Sequence, residues 1–224
     1  MKLEEFIEKT KPHNYQNSAP PFEPMDRHLW ESKQLYSVID CLHDSCAVLD
    51  FGCGGNGTLQ HTLFGHYPNS TYYGLDTDFI SDDNYGFIEN KNKSQNNVFF
   101  KSSNELDKVL PKVDCMVMGS VFTHLSLAKM KEILDRTLPF YDNGFQLGFT
   151  AFLADVFLFT GHGVYGPETY AYTILNINWF EDYCSKNDLT LTLHSYTQEL
   201  VGVTIEAEVG TIKHQNFLTI SKKE

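Results

Sequence analysis

In this chain of 224 residues, the residues best suited to chemistry lie in Val48-Leu49-Asp50-Phe51-Gly52-Cys53-Gly54-Gly55-Asn56-Gly57-Thr58-Leu59. A short apolar run ends on an acid and passes directly into a glycine-rich turn. A second apolar run, Thr71-Tyr72-Tyr73-Gly74-Leu75, ends on another acid, Asp76. This is the layout of a nucleoside-cofactor site at the C-terminal edge of a parallel sheet. The glycines let the backbone approach a ligand closely, and the second acid can accept from two ribose hydroxyls.

Two cofactors compete for this layout. Gly52, Gly54 and Gly57 spell G-x-G-x-x-G, the dinucleotide fingerprint, with an acid at a suitable distance. The alternative reading starts from Asp50, which makes Asp50-Phe51-Gly52-Cys53-Gly54 an acid-x-G-x-G sequence. A pyrophosphate over the turn is disfavoured by a carboxylate just before the first glycine, because the helix N-terminus binds it as an anion. S-adenosylmethionine (SAM) carries an ammonium and a sulfonium, which an acid suits. On these residues the chain resembles the class I SAM-dependent methyltransferases.

The resemblance covers about residues 26–221 and is specific at 48–58, 72–78 and 114–125. It implies that Asp50 holds the methionine end, directly or through water, and that Asp76 takes the ribose. Gly52, Cys53, Gly54 and Thr77 would complete the turn around the ligand. Ser102 or Ser103 would meet adenine, where many family members have an acid and this chain has none. Gly119 and Ser120 would line the cofactor, with Phe122 packed nearby, from Gly119-Ser120-Val121-Phe122-Thr123-His124-Leu125, which looks like an S-V-F-T-H-L stretch of a subgroup often associated with small molecules and glycans. The chain departs from the family at the third glycine, which falls on Asn56. Asn is the non-glycine residue that best tolerates left-handed φ.

Transfer from a sulfonium needs an aligned nucleophile and little else, because the cofactor activates the carbon. A hydroxyl acceptor gains from a base, worth about 10²–10⁴-fold. His124, His162 and Asp155 are the leading candidates, with Glu168 and His194 behind them. His124 can equally fix its loop by hydrogen bonding, and His162, in Gly161-His162-Gly163, can equally be an exposed loop residue. Tyr165, Tyr170 and Tyr172 are candidates to stack on a ring or sugar, and His162 to bind the acceptor; core packing is the competing role for each ring. The acidic pair Asp82-Asp83 reads as a solvated helix start, so no metal is expected.

These residues need a scaffold. Strands are expected at 46–51, 71–75, 97–102, 114–121 and 145–152, with helices at 26–42, 56–67 and 127–140 and a weak polar helix or loop at 79–90. The alternation predicts a three-layer αβα sandwich with a mostly parallel sheet. Residues 178–186 read as a further helix, and 189–197 and 217–221 as paired strands. The resemblance implies seven strands in the order 3-2-1-4-5-7-6 with the last antiparallel. Residues 1–25 form an irregular arm, either a lid or a linker. Residues 153–177, rich in aromatics and glycine and without clear periodicity, read as a long substrate-facing insertion in the domain that spans 26–224.

Composition narrows the partners. Net charge is −12, and beyond Lys222-Lys223 there is no basic run. Both argue against nucleic acid, which demands clustered cations. Five cysteines without C-x-x-C or zinc spacing fit a reducing cytoplasm. No stretch approaches the roughly 20 apolar residues of a membrane span, and the first residues lack a signal core. The sequence sets no oligomeric state. The resulting expectation is a cytoplasmic SAM-dependent methyltransferase releasing S-adenosylhomocysteine (SAH). A small-molecule or saccharide acceptor is expected, with O-methylation favoured. N-methylation, an NAD(P)-dependent oxidoreductase and an inactive SAM-binding module are the alternatives. The oxidoreductase lacks a Y-x-x-x-K pair, since Tyr183 is followed at that spacing by Asn187.

Overall fold

The computed structural model describes residues 34–53, 58–76, 96–100, 103–153, 158–165, 168–199, 205–207, 210–212 and 214–223. The chain divides into two units, Met1–Val117 and Met118–Glu224. The expected arm at 1–25, the polar segment 79–90 and most of the first helix lie outside the described residues.

The first unit is built on parallel strands. β1 (Ala47–Phe51) lies between β2 (Thr71–Leu75) and β4 (Cys115–Met118), and β3 (Asn96–Phe100) flanks β2. The order β3-β2-β1-β4 is parallel throughout, with Asp50 opposite Gly74 on one side and Val117 on the other. Four consecutive buried residues, Cys115-Met116-Val117-Met118, make β4, as a strand covered on both faces requires. Helix α1 (Thr58–His66) connects β1 to β2, and a short helix α2 (Leu106–Val109) precedes β4. Polar ties fix the lower edge. Asp114 accepts from Ala47 N at 2.7 Å, and Asp44 accepts from both the backbone and the side-chain amide of Asn69. Val48, Leu63, Phe64, Tyr72, Cys115 and Val117 form the core, with Tyr36 and Ile39 packed into it.

In the second unit, helix α3 (Leu127–Thr137) is capped by Ser126, whose Oγ accepts from Lys129 N. The helix expected to reach Phe140 stops at Thr137 and becomes a 3₁₀ turn, Leu138–Asn143. Pro139 explains this, because it can neither donate nor fit within an α-helix. β5 (Gln146–Leu153) pairs with β11 (His214–Lys222), and β11 with β8 (Leu189–Glu199), all antiparallel. Helix α4 (Ile177–Lys186) precedes β8. The expected order 3-2-1-4-5-7-6 is therefore met as 3-2-1-4 in the first unit and 5-7-6 in the second, with β8 and β11 as the sixth and seventh places and an antiparallel last strand.

The segment 153–177, read from the sequence as an insertion without clear periodicity, contains the hairpin of β6 (Leu158–Tyr165) and β7 (Glu168–Leu175). The Thr- and Tyr-rich run Thr169-Tyr170-Ala171-Tyr172-Thr173 has strong β-propensity. The fourth strand, expected to reach Val121, ends at Met118, because Ser120 turns left-handed. A small antiparallel pair, β9 (Ile205–Ala207) and β10 (Gly210–Ile212), occupies part of 198–213.

Candidate functional site

In the first unit the site grows from the ends of β1 and β2. Phe51 lies opposite Leu75, so the turn after β1 and the acid after β2 leave the sheet side by side. Gly52 adopts φ 81°, which a side chain would oppose. The conformation directs two backbone donors at one acceptor: Gly52 N and Cys53 N reach Leu75 O at 2.7 and 3.3 Å. These two N–H groups are thereby satisfied within the protein. What the turn offers a ligand is close backbone approach beside Asp76.

Asp50 is 1% exposed. Its Oδ2 accepts from the Tyr72 hydroxyl at 2.6 Å, a charge-assisted bond between two buried groups. Burial, reinforced by the Asp50 charge, pushes the Tyr72 hydroxyl well above its ordinary range, and does the same at Tyr36. Both phenols are therefore neutral. Cys53 is also pushed up, by burial first and then by Asp50 and Asp76. It stays a protonated thiol, unsuited to nucleophilic chemistry. The short turn thus lies between two strand ends that each carry a carboxylate, Asp50 and Asp76, and combines negative charge with glycine-permitted access.

In the second unit the chain leaves β4 through Gly119-Ser120. Ser120 has φ 58°. Its N–H donates to Thr150 Oγ1 at 2.7 Å, and its Oγ accepts from Gln215 Nε2 at 2.9 Å. The Thr123 hydroxyl donates to Ser120 O at 2.6 Å, and Thr173 N donates to Thr123 O at 2.8 Å. The loop is thus fixed to β5, β7 and β11 together. His124 follows, exposed, with its N–H on Val121 O. Phe122 is buried: its ring lies 4.9 Å from Phe149, edge-on, and 6.1 Å from Phe180.

Of the residues singled out from the sequence, the fold brings together Asp50, Gly52, Cys53 and Asp76 in the first unit. It places Gly119, Ser120, Phe122 and His124 in one loop of the second. His162 and Tyr165 sit on β6, Tyr170 and Tyr172 on β7; Tyr170 is opposite Gly163 and Tyr172 opposite Gly161. Ser103 opens a 3₁₀ turn, Ser103–Glu105. Gly54, Thr77, Ser102 and Asp155 lie outside the described residues, as do Asp82 and Asp83. Among the described residues no group of three or more His, Cys, Asp or Glu could hold a metal, and no helix is long and apolar enough to cross a membrane. Sequence reasoning missed Tyr36, Tyr72, Thr150 and Gln215. Only Tyr72 left a signal, as a hydroxyl inside a buried strand beside the strand that carries Asp50.

The residues fit the amino-acid and ribose ends of SAM. An enclosed carboxylate suits an ammonium, a second carboxylate ends the neighbouring strand, and a buried hydroxyl without a hydrogen-bond partner among the described residues, that of Tyr36, lies in one packed cluster with Tyr72 and Cys53.

No family model and no curated protein matches the chain. Solved structures do. Coclaurine N-methyltransferase, bound to N-methylheliamine and SAH, is 12% identical with a TM-score of 0.60, covering 97% of this chain and 78% of that one. Magnesium protoporphyrin IX methyltransferase from Synechocystis PCC 6803, with bound SAH, is 13% identical with a TM-score of 0.57 over 92% and 90%. The 1,6-didemethyltoxoflavin-N1-methyltransferase of Burkholderia thailandensis, with its substrate and SAH, is 10% identical with a TM-score of 0.54 over 95% and 98%. The fold of this chain is that of the SAM-dependent methyltransferases, a Rossmann-like mixed sheet of seven strands with helices.

Proposed function

We propose that this protein is a SAM-dependent methyltransferase acting on a small molecule. The observation that carries the reading is the pairing of Asp50 and Asp76 across the Gly52-Cys53 turn, in a fold shared with methyltransferases that hold SAH. When bound, SAM supplies a methyl group already activated by its sulfonium. The work of the chain is to bind and align. Asp50, fixed by Tyr72, presents negative charge to the ammonium. Gly52 and Cys53 allow close approach, and Asp76 accepts from the ribose. An enclosed acid at Asp50 also disfavours the pyrophosphate of a dinucleotide, which counts against the oxidoreductase alternative.

The acceptor follows from softer observations. Small molecules are the acceptors or ligands named for the toxoflavin and coclaurine enzymes, and the Ser120–Leu125 stretch resembles a subgroup acting on small molecules and glycans. Oxygen is the favoured nucleophile, with His124, exposed at the loop after β4, as the first candidate to take a hydroxyl proton. His162, on β6, is the second candidate. A saccharide is the favoured hydroxyl-bearing acceptor, in a cytoplasmic setting, given the reduced cysteines and the net charge.

A thermal-shift titration with SAM, SAH, NAD and NADP tests the reading. A ligand of the folded state stabilises it by about 2.7 kcal/mol at 100 times its Kd. Shifts with SAM and SAH alone are expected. Shifts with the nicotinamide pair alone would replace the reading with the oxidoreductase. SAM binding without turnover on hydroxyl and amine panels would leave only a binding module.

A further inference from the structure

We propose that the Tyr36 hydroxyl is a positioning group for the charged amino-acid end of the cofactor, accepting a hydrogen bond from its ammonium beside the Asp50 carboxylate. The inference rests on the methyltransferase reading and adds a residue from outside the two strand ends.

The two buried tyrosines of the first unit differ in one respect. Tyr72 donates to Asp50. Tyr36 is 3% exposed, and its hydroxyl oxygen is buried with no hydrogen-bond partner among the described residues. Gln34, in the same helical turn, likewise keeps a buried carbonyl oxygen without a donor. Buried polar groups are nearly always satisfied, and leaving one unmade costs the full desolvation of the group. A phenylalanine would fill the same space without that cost.

The surroundings indicate what such a hydroxyl would meet. Tyr36 belongs to the same packed cluster as Tyr72, Cys53 and Cys115. The Asp50 charge acts on both tyrosine hydroxyls, and Tyr36 acts on Tyr72. Tyr36 and Tyr72 thus share one packed cluster with Cys53 of the glycine turn, and the Tyr72 hydroxyl joins that cluster to the Asp50 carboxylate. Kept neutral by burial, the Tyr36 phenol has lone pairs to accept with. An ammonium has three N–H donors, more than one carboxylate already engaged with Tyr72 can satisfy well. A second acceptor beside that carboxylate is the complement an ammonium needs, and a pyrophosphate would have no use for it.

The test is Tyr36→Phe, read by calorimetric titration with SAH and with 5′-methylthioadenosine, which keeps the nucleoside and thioether but lacks the amino-acid end. Losing one hydrogen bond to a charged group should weaken SAH binding about tenfold or more, while the analogue changes by less than about twofold. The melting temperature of the ligand-free variant should stay level or rise, because an unsatisfied hydroxyl has been removed. Unchanged SAH affinity would overturn the inference. So would equal weakening of both ligands or a fall in ligand-free stability, since each marks a structural role. If the wild-type protein binds neither SAM nor SAH, the methyltransferase reading itself fails, which is distinct from a variant that binds SAH as well as wild type.

Discussion

Gln215, 95 residues further along the chain, donates from Nε2 to Ser120 Oγ at 2.9 Å, and so fixes a serine whose backbone is left-handed. A non-glycine residue at φ 58° is strained by about 1 kcal/mol or more and persists only where its neighbours hold it. Here the neighbours are Gln215 on the side chain and Thr150 on the N–H. The loop that carries His124 is thereby fixed from β5 and β11.

Thr150 gives the cleanest test of this support. It is fully buried, and Thr150→Val keeps its shape while removing the Oγ1 that accepts from Ser120 N. The N–H is left without that acceptor, at a cost of about 1–3 kcal/mol. Urea denaturation should report a loss of that size for Thr150→Val and a smaller one for Thr150→Ser. An unchanged midpoint for the valine variant would show that Ser120 keeps its conformation without Thr150.

Asp76 carries a different kind of prediction, because it is partly exposed and the proposed reading gives it the cofactor's ribose. Two charge-assisted bonds to ribose hydroxyls, at about 1.5 kcal/mol each, amount to about a hundredfold in affinity. Asp76→Ala should therefore weaken SAH binding by about that factor in calorimetry, with the ligand-free melting temperature within a few degrees of wild type. Retained affinity would remove Asp76 from the site.

The contrast between Asp76 and Tyr36 shows what the sequence could reveal. An acid directly after an apolar run, next to a glycine turn, is legible because chain order alone puts it at a strand end. The parallel strands were legible for the same reason: Cys115-Met116-Val117-Met118 can only be a covered strand. Tyr36, Thr150 and Gln215 act across 14 to 95 residues of chain, through packing and register that no local pattern encodes. The β6–β7 hairpin was missed because the glycines around His162 break the alternation, although Thr169 to Thr173 carry strong β-propensity. Phe122 was placed by resemblance at the cofactor. Its ring packs against Phe149 and Phe180 and ties the loop after β4 to the core of the second unit.

Two glycines with open space around them should respond in opposite directions. Gly65 lies in the last turn of α1, where a Cβ would meet nothing within 4 Å, and Gly65→Ala should stabilise by about 0.5–1 kcal/mol through helix propensity. Gly144 also has nothing within 4 Å but sits at φ 84° after the 3₁₀ turn. Gly144→Ala should destabilise by about 1–2 kcal/mol from backbone strain alone, with Gly144→Asn milder. Equal effects of the two alanines in urea titrations would contradict the left-handed turn.

Alkaline pH should unfold the protein through its thiols. Burial pushes Cys184 from 9.0 up to about 12, and Cys46 and Cys53 also move upward, with burial the first cause in each. Above the ordinary thiol value the unfolded chain has released these protons while the folded chain still holds them. The folded state then binds more protons, and stability falls as pH rises. Cys184's contribution is complete below pH 9.0 and is lost progressively as pH climbs towards about 12. Each such thiol adds a slope of about 1.4 kcal/mol per pH unit. Urea midpoints at about pH 8 and about pH 10 should separate accordingly, and Cys184→Ala should flatten the slope by up to one proton's worth, even though its cavity lowers stability at both pH values. A variant with the wild-type slope would mean that Cys184 titrates alike in the folded and unfolded chains, contrary to its burial in α4.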